Sequence, residues 1–188
     1  DPIMPLVIEK PSAALAALVT PLVNNRAADA TDQDTQSETS LVLGAGGKIL
    51  ASFNDSGSYI GGAQKFTGYS RSTDSGGTWT DQGVLPNSTG GDAGDPVFAR
   101  SSATGTVVLA TLEFNALNSL RIFRMDDDGV ALGSNPQADG AAGSGEHDKE
   151  WVTCDNFAGS GQGNFYMFWR NFSATNPGMT FTRSTDDG

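Results

Sequence analysis

The sequence predicts an all-β protein, a β-propeller of four-stranded antiparallel blades, and three observations carry the prediction. A glycine followed by a strand-length apolar run begins at Gly47, again at Gly105 and again at Gly163, 58 residues apart each time. Shorter strand-like segments recur before and after each copy. Glycine makes up 24 of the 188 residues, whereas four Lys and five Glu leave a long surface helix short of its usual formers.

Taken in order, residues 1–36 stand apart as an N-terminal extension and linker. Pro11-Ser12 ahead of Ala13, Ala14, Leu15, Ala16, Ala17, Leu18 and Val19 reads as a short helix that stops before Pro21. The polar stretch 24–36 reads as a linker. An ordered extension and a cleaved pro-segment or signal remnant both fit this region. Residues 37–188 hold the repeats. The first strand-like segment falls at 38–43, 95–100 and 150–155, with Glu38, Asp95 and Glu150 heading the three copies. The glycine-led run follows at 47–54, 105–112 and 163–170, and a third segment at 69–76, 122–129 and 181–188. Thr78-Trp79-Thr80 supplies a fourth in the first repeat. Four short strands per 50–60 residues is the pattern of a propeller blade. Blades are thus expected at about 37–93, 94–147 and 148–188, the last incomplete. Propellers close with roughly four to eight blades. The chain is therefore expected to be part of a roughly six-bladed ring, its partners being the remaining blades or identical copies of itself.

The turn after the third segment carries the most specific motif. Ser72, Asp74, Gly76, Thr78 and Trp79 fit S-x-D-x-G-x-T-W, in which Ser and Asp bond to turn backbone groups and Gly supplies positive φ. Ser184, Asp186 and Gly188 repeat its first half. Met125-Asp126-Asp127-Asp128-Gly129 keeps Asp127 and Gly129 in register and lacks the Ser and Trp. On these motifs residues 37–188 resemble the Asp-box (bacterial neuraminidase repeat) propellers of the sialidase-like superfamily. The resemblance implies that the boxes are structural, away from any catalytic site. It also implies a ligand site at the end of the central axis where the innermost strands begin, and a secreted, extracellular or periplasmic location.

At that end the sequence places Glu38, Asp95, Asp148 and Glu150, with Arg100 and Arg170 as candidate ligands on interior strands. Paired carboxylates are what glycoside hydrolysis uses; acids at strand starts also cap turns through backbone bonds. The family's Phe/Tyr-Arg-Ile-Pro hallmark is absent, and no Tyr stands in a nucleophile context. Arg71, Arg124 and Arg183 precede the three boxes at equivalent positions and read as structural. Two functions follow: a non-catalytic binding or assembly scaffold, with carbohydrate as the ligand, or a glycoside hydrolase of sialidase type completed by other blades. No cofactor is indicated; calcium at Asp126, Asp127 and Asp128 is the one metal alternative, without a full calcium-loop spacing. A formal charge of −11 repels phosphate backbones and disfavours nucleic-acid binding. No apolar stretch approaches the ~20 residues of a membrane span. One Cys and one His exclude an internal disulfide framework and multi-histidine metal sites.

Overall fold

The computed structural model describes residues 20–28, 35–56, 65–85, 91–113, 119–133, 138, 147–173 and 177–188. The helix expected over 13–19 lies outside them. Among the described residues ten strands form three antiparallel sheets. The first has the order β1 (Gln36–Leu43), β2 (Ile49–Asp55), β3 (Thr67–Ser72), β4 (Thr80–Val84). The second runs β5 (Gly94–Arg100), β6 (Val107–Leu112), β7 (Leu120–Met125), and the third β8 (His147–Cys154), β9 (Phe165–Asn171), β10 (Gly178–Ser184). Helix among the described residues is confined to short 3-10 turns, such as those at Arg26–Ala28 and Ala45–Gly47.

The apolar runs have a packing reason. Val107, Val108, Leu109 and Ala110 of β6 are all fully buried, because the second sheet is covered on both faces. Val107 and Leu109 join Leu50, Tyr69, Phe98, Phe123 and Met125 in a core shared with the first sheet. Val108 and Ala110 join Ile122, Val152, Phe165, Met167 and Trp169 in a core shared with the third. A strand without a solvent face cannot show polar alternation. The third sheet alternates, as does the second half of β1, whereas β2 and β3 are buried almost throughout; apolar side chains stay exposed at Leu41 and Leu43 on the first sheet and at Trp151, Phe168 and Phe181 on the third.

The turns after β3 and β10 are locked alike. Ser72 Oγ donates to Asp74 Oδ1 at 2.9 Å and accepts from Gly76 N at 2.9 Å. Ser184 Oγ donates to Asp186 Oδ1 at 2.7 Å and accepts from Gly188 N at 2.8 Å. Asp74 also accepts from Thr78 N and Thr78 Oγ1, both at 2.8 Å, and these bonds hold its carboxyl below the usual carboxylate range. Asp74→Ala is accordingly expected to lower the melting temperature and to leave ligand affinity intact. A loss of affinity without a loss of stability would contradict a purely structural role.

The turn after β7 solves the problem differently. Met125 takes the serine's place and is buried in the core. The carboxylate that closes the turn is Asp126, accepting from Asp128 N at 2.8 Å and Val130 N at 2.9 Å. Asp127, which the sequence aligns with Asp74, instead accepts from Arg100 Nε at 2.5 Å, Arg100 Nη2 at 2.8 Å and Ala45 N at 3.1 Å. It ties the second sheet to the first. Asp128 does the same through Lys48 Nζ at 2.6 Å and Arg71 Nη1 at 3.4 Å. One repeat later, Asp187 accepts from Thr104 and Thr106 Oγ1 of the second sheet, while its carbonyl accepts from Arg124 Nε at 3.0 Å. The three Asp126–Asp128 carboxylates therefore face three different sets of partners.

Candidate functional site

The boxes follow β3, β7 and β10, so antiparallel pairing puts the starts of β1, β5 and β8 at the opposite end. All three innermost strands are bulged there, with pairing irregular between Ser37 and Ser40, Gly94 and Val97, and Asp148 and Trp151. Each bulge holds a non-glycine residue at positive φ: Glu38 at 47°, Asp95 at 53°, Lys149 at 55°. Such backbone costs about 1–3 kcal/mol per residue and concentrates where structure serves a site. Three at one repeat position is a constructed feature.

Those three side chains meet. Lys149 Nζ lies 2.9 Å from Glu38 Oε2 and 3.5 Å from Asp95 Oδ2, so one ammonium joins the inner strands of all three sheets. The hydrogen bond to Glu38, followed by the Asp95 charge, raises the Lys149 pKa against the opposing effect of desolvation. Asp95 is also gripped from the first sheet, where Asn54 Oδ1 accepts its N–H at 2.7 Å and Asn54 Nδ2 donates to its carboxylate at 3.2 Å. Gly94 permits that approach: at φ +92°, a Cβ there would collide with Asn54 Oδ1. Asp148 Oδ1 accepts the Lys149 N–H at 2.8 Å.

Glu150 is the outlier. It is 2% exposed, and among the described residues neither carboxyl oxygen has a hydrogen-bonding partner outside its own residue. Desolvation pushes its pKa up to about 9; Asp95 and Asp148 add to the shift, while its own backbone N–H and Lys149 oppose it. It is therefore protonated at neutral pH. The bulge explains its position: Glu150 lies one residue past Lys149 and turns, like Val152, toward the second sheet.

The other expected residues separate. Arg170 is cross-strand from Asp148 on β9, with its guanidinium 4.7 Å from the Phe172 ring centre. It alternates with the buried Met167 and Trp169, so it projects from the opposite face of the third sheet. Arg100 ends β5 at the box end, engaged by Asp127, and the structure does not bring it to the mouth. Trp169 is buried, donating Nε1–H to His147 Nδ1 at 3.2 Å. Cys154 lies beside the core between the second and third sheets, and burial raises its thiol pKa. Sequence reasoning missed Asn54, the linking role of Lys149, and Glu113, a buried acid 2.8 Å from Arg121 Nη2. Aligning the bulges rather than the first acids would have found Lys149. Among the described residues no group of three or more His, Cys, Asp or Glu is placed to hold a metal, and no helix is long and apolar enough to cross a membrane.

No protein-family model matches the sequence, and no curated protein matches it. Solved structures do. An exo-β-1,3-galactanase from Phanerochaete chrysosporium, in complex with β-1,3-galactotriose, aligns with a TM-score of 0.57 at 12% identity, over 82% of this chain and 34% of the other. A Hadza microbial sialidase aligns at 0.56 and 18% identity, over 81% and 36%. An α-L-arabinanase from Penicillium chrysogenum aligns at 0.52 and 12% identity, over 82% and 44%. This chain thus shares the fold of these structures over most of its length, and it spans about a third of the length of the first two and under half of the third.

Proposed function

We propose that the protein is an exported, non-catalytic glycan-binding scaffold of the Asp-box propeller type, its ligand seated at the axial mouth. The observation that carries this is the Lys149 knot. An ammonium held by Glu38 and Asp95 across three sheets makes a pre-organised floor of acceptors whose charge is compensated in part. Sugar hydroxyls donate to such acceptors. A carboxylate bound to lysine is a poor general base, and the sequence shows neither the nucleophile context nor the arginine hallmark of a sialidase. The glycosidase names of the fold neighbours support a glycan ligand; fold alone does not carry the activity. The remaining blades are the partners this reading requires.

One observation favours glycoside hydrolysis as a second reading. Glu150, protonated at neutral pH, interacts electrostatically with Asp95, and two carboxyls poised in opposite states are what an acid–base pair needs.

The two readings part in one pair of assays. Oligosaccharide binding is measured by titration calorimetry, and release of 4-methylumbelliferone from galactoside, arabinofuranoside and sialoside substrates is followed in parallel. The scaffold reading expects binding that Glu38→Gln weakens about tenfold, roughly 1.4 kcal/mol, without fluorophore release. Turnover abolished by Glu150→Gln would replace it with the hydrolase.

A further inference from the structure

We infer that the protein carries a second binding site, apart from the mouth, in which a small phenol lies between the second and third sheets. A cavity of about 290 Å3 opens there, lined among the described residues by Val108, Ile122 and Ala138 on the side of the second sheet and by Phe165, Met167 and Thr182 on the third. Ser184, Asp186 and Gly188 also line it, so it lies at the turn end of the sheets, opposite Lys149. Asp186 is exposed, and the cavity reaches solvent beside it. Protein interiors leave few voids larger than a water molecule, and apolar cavities of about 150 Å3 already admit benzene. The site stands whichever ligand the mouth takes.

The interface between the first and second sheets shows what the next one lacks. Met125 and Ser184 hold the same place in their turns, so Phe123 and Thr182, each two residues earlier, correspond. Tyr69, three residues before Ser72, corresponds to Ile122, three before Met125. Phe98 and Val152 both stand three residues past a bulge residue, Asp95 or Lys149. Tyr69, Phe98 and Phe123 pack in one core at the first interface, whereas Ile122, Val152 and Thr182 hold their places at the second. Three rings are gone, and Phe165, where the first interface has Val107, restores one. The turn glycines support this matching: a Cβ on Gly129 would press on Tyr69 and Leu50, and one on Gly188 would press on Val108, the counterpart of Leu50.

Tyr69 also indicates the chemistry of the occupant. Its ring fills the first interface while its hydroxyl donates to the Gly129 carbonyl at 3.2 Å. Ile122 has no hydroxyl to offer, and Gly188, in the place of Gly129, lines the cavity. The Thr182 hydroxyl, on the same wall, has no hydrogen-bonding partner among the described residues. A phenol supplies the missing ring to the apolar walls, and its hydroxyl donates at Gly188 as that of Tyr69 does at Gly129, with Thr182 beside it as donor.

The test is a titration of 4-fluorophenol with the whole chain, followed by the fluorine NMR signal of the probe. A parallel titration uses 4-fluoroanisole, which keeps the ring and has no hydroxyl to donate. The phenol is expected to bind saturably, with a Kd below about 10 mM, and at least about threefold tighter than the anisole. Thr182→Phe, which restores the ring of Phe123, is expected to weaken the phenol at least about tenfold with its near-ultraviolet dichroism native in form. Absence of saturable binding would overturn the site, and so would full affinity in a folded Thr182→Phe. Equal binding of the anisole would overturn the phenol as its ligand. If Thr182→Phe does not fold, Ala138→Leu fills the cavity from the facing sheet, as Leu85 does at the first interface, and the same loss decides.

Discussion

Replacing Glu150 by glutamine is expected to stabilise the protein increasingly as pH rises from 4.5 to 9. The carboxyl titrates at about 9 in the folded chain against an ordinary 4.5. Within that window the folded protein keeps a proton that the unfolded chain has released, so wild-type stability falls with rising pH. Below 4.5 both states are protonated and the contribution vanishes. Glutamine fills the same space and never ionises. At about 1.4 kcal/mol per pH unit, the three units between 4.5 and pH 7.5 amount to about 4 kcal/mol. For a chain of this size that is on the order of 10 °C in melting temperature. Parallel urea denaturation of both proteins at pH 4, 6 and 8 measures it. A stability difference that stays constant across those pH values would mean that Glu150 is solvated and ionised in the folded protein.

The second large effect is expected at the other end of the sheets. Asp127→Ala removes the acceptor of two Arg100 bonds and of the Ala45 N–H, at 2.5, 2.8 and 3.1 Å. The Arg100 side chain is 19% exposed, so its guanidinium is left largely buried without a counter-charge. Breaking one side of such a pair costs about 3 kcal/mol. The Arg100 hydrogen bond, opposed by desolvation and aided by the Ala45 N–H, holds the Asp127 carboxyl below the usual range. Its stabilisation is therefore full above the ordinary carboxylate pKa and lost as pH falls through the lowered one. Arg100→Met in the Asp127→Ala background should recover part of the loss, since the stranded charge is then gone too. A cost below about 0.5 kcal/mol for Asp127→Ala would show the tie between sheets to be solvated.

These two sites mark where the sequence was legible and where it was not. The repeat was readable because each sheet reuses one glycine-led core strand, and β6 shows its double burial as four unbroken apolar residues; the four strands expected per blade are present in the first sheet, while the second and third show three among the described residues. The turns at Ser72 and Ser184 were readable because their bonds stay within five residues. Register at the mouth was not. Aligning the leading acids matches Glu150 with Glu38 and Asp95, whereas the structure matches Lys149 with them, since each bulge inserts a residue that alternation cannot reveal. Asp127 misled for a related reason: the turn keeps its count of residues while Asp126 takes over the closing bonds. Arg100 had the right strand and the wrong end, because it closes the seven-residue β5 near whose start Asp95 stands.

The arginines before the boxes give the assembly a polarity. Arg71 reaches Asp128 of the next sheet and Arg124 reaches Asp187 of the one after, always forward along the chain. Each sheet thus offers a socket to its successor and a plug to its predecessor, a heterologous contact that reads differently from its two sides. Such nearest-neighbour coupling makes order propagate from sheet to sheet rather than through one central core. Arg183 occupies the same position on the third sheet, exposed and without an ion pair among the described residues. A sheet continuing the series would meet Arg183 with the turn position that Asp128 and Asp187 hold. A second copy of this chain docked head to tail would offer Ser75 there, whose carbonyl can accept as those of Asp128 and Asp187 do but whose side chain brings no charge.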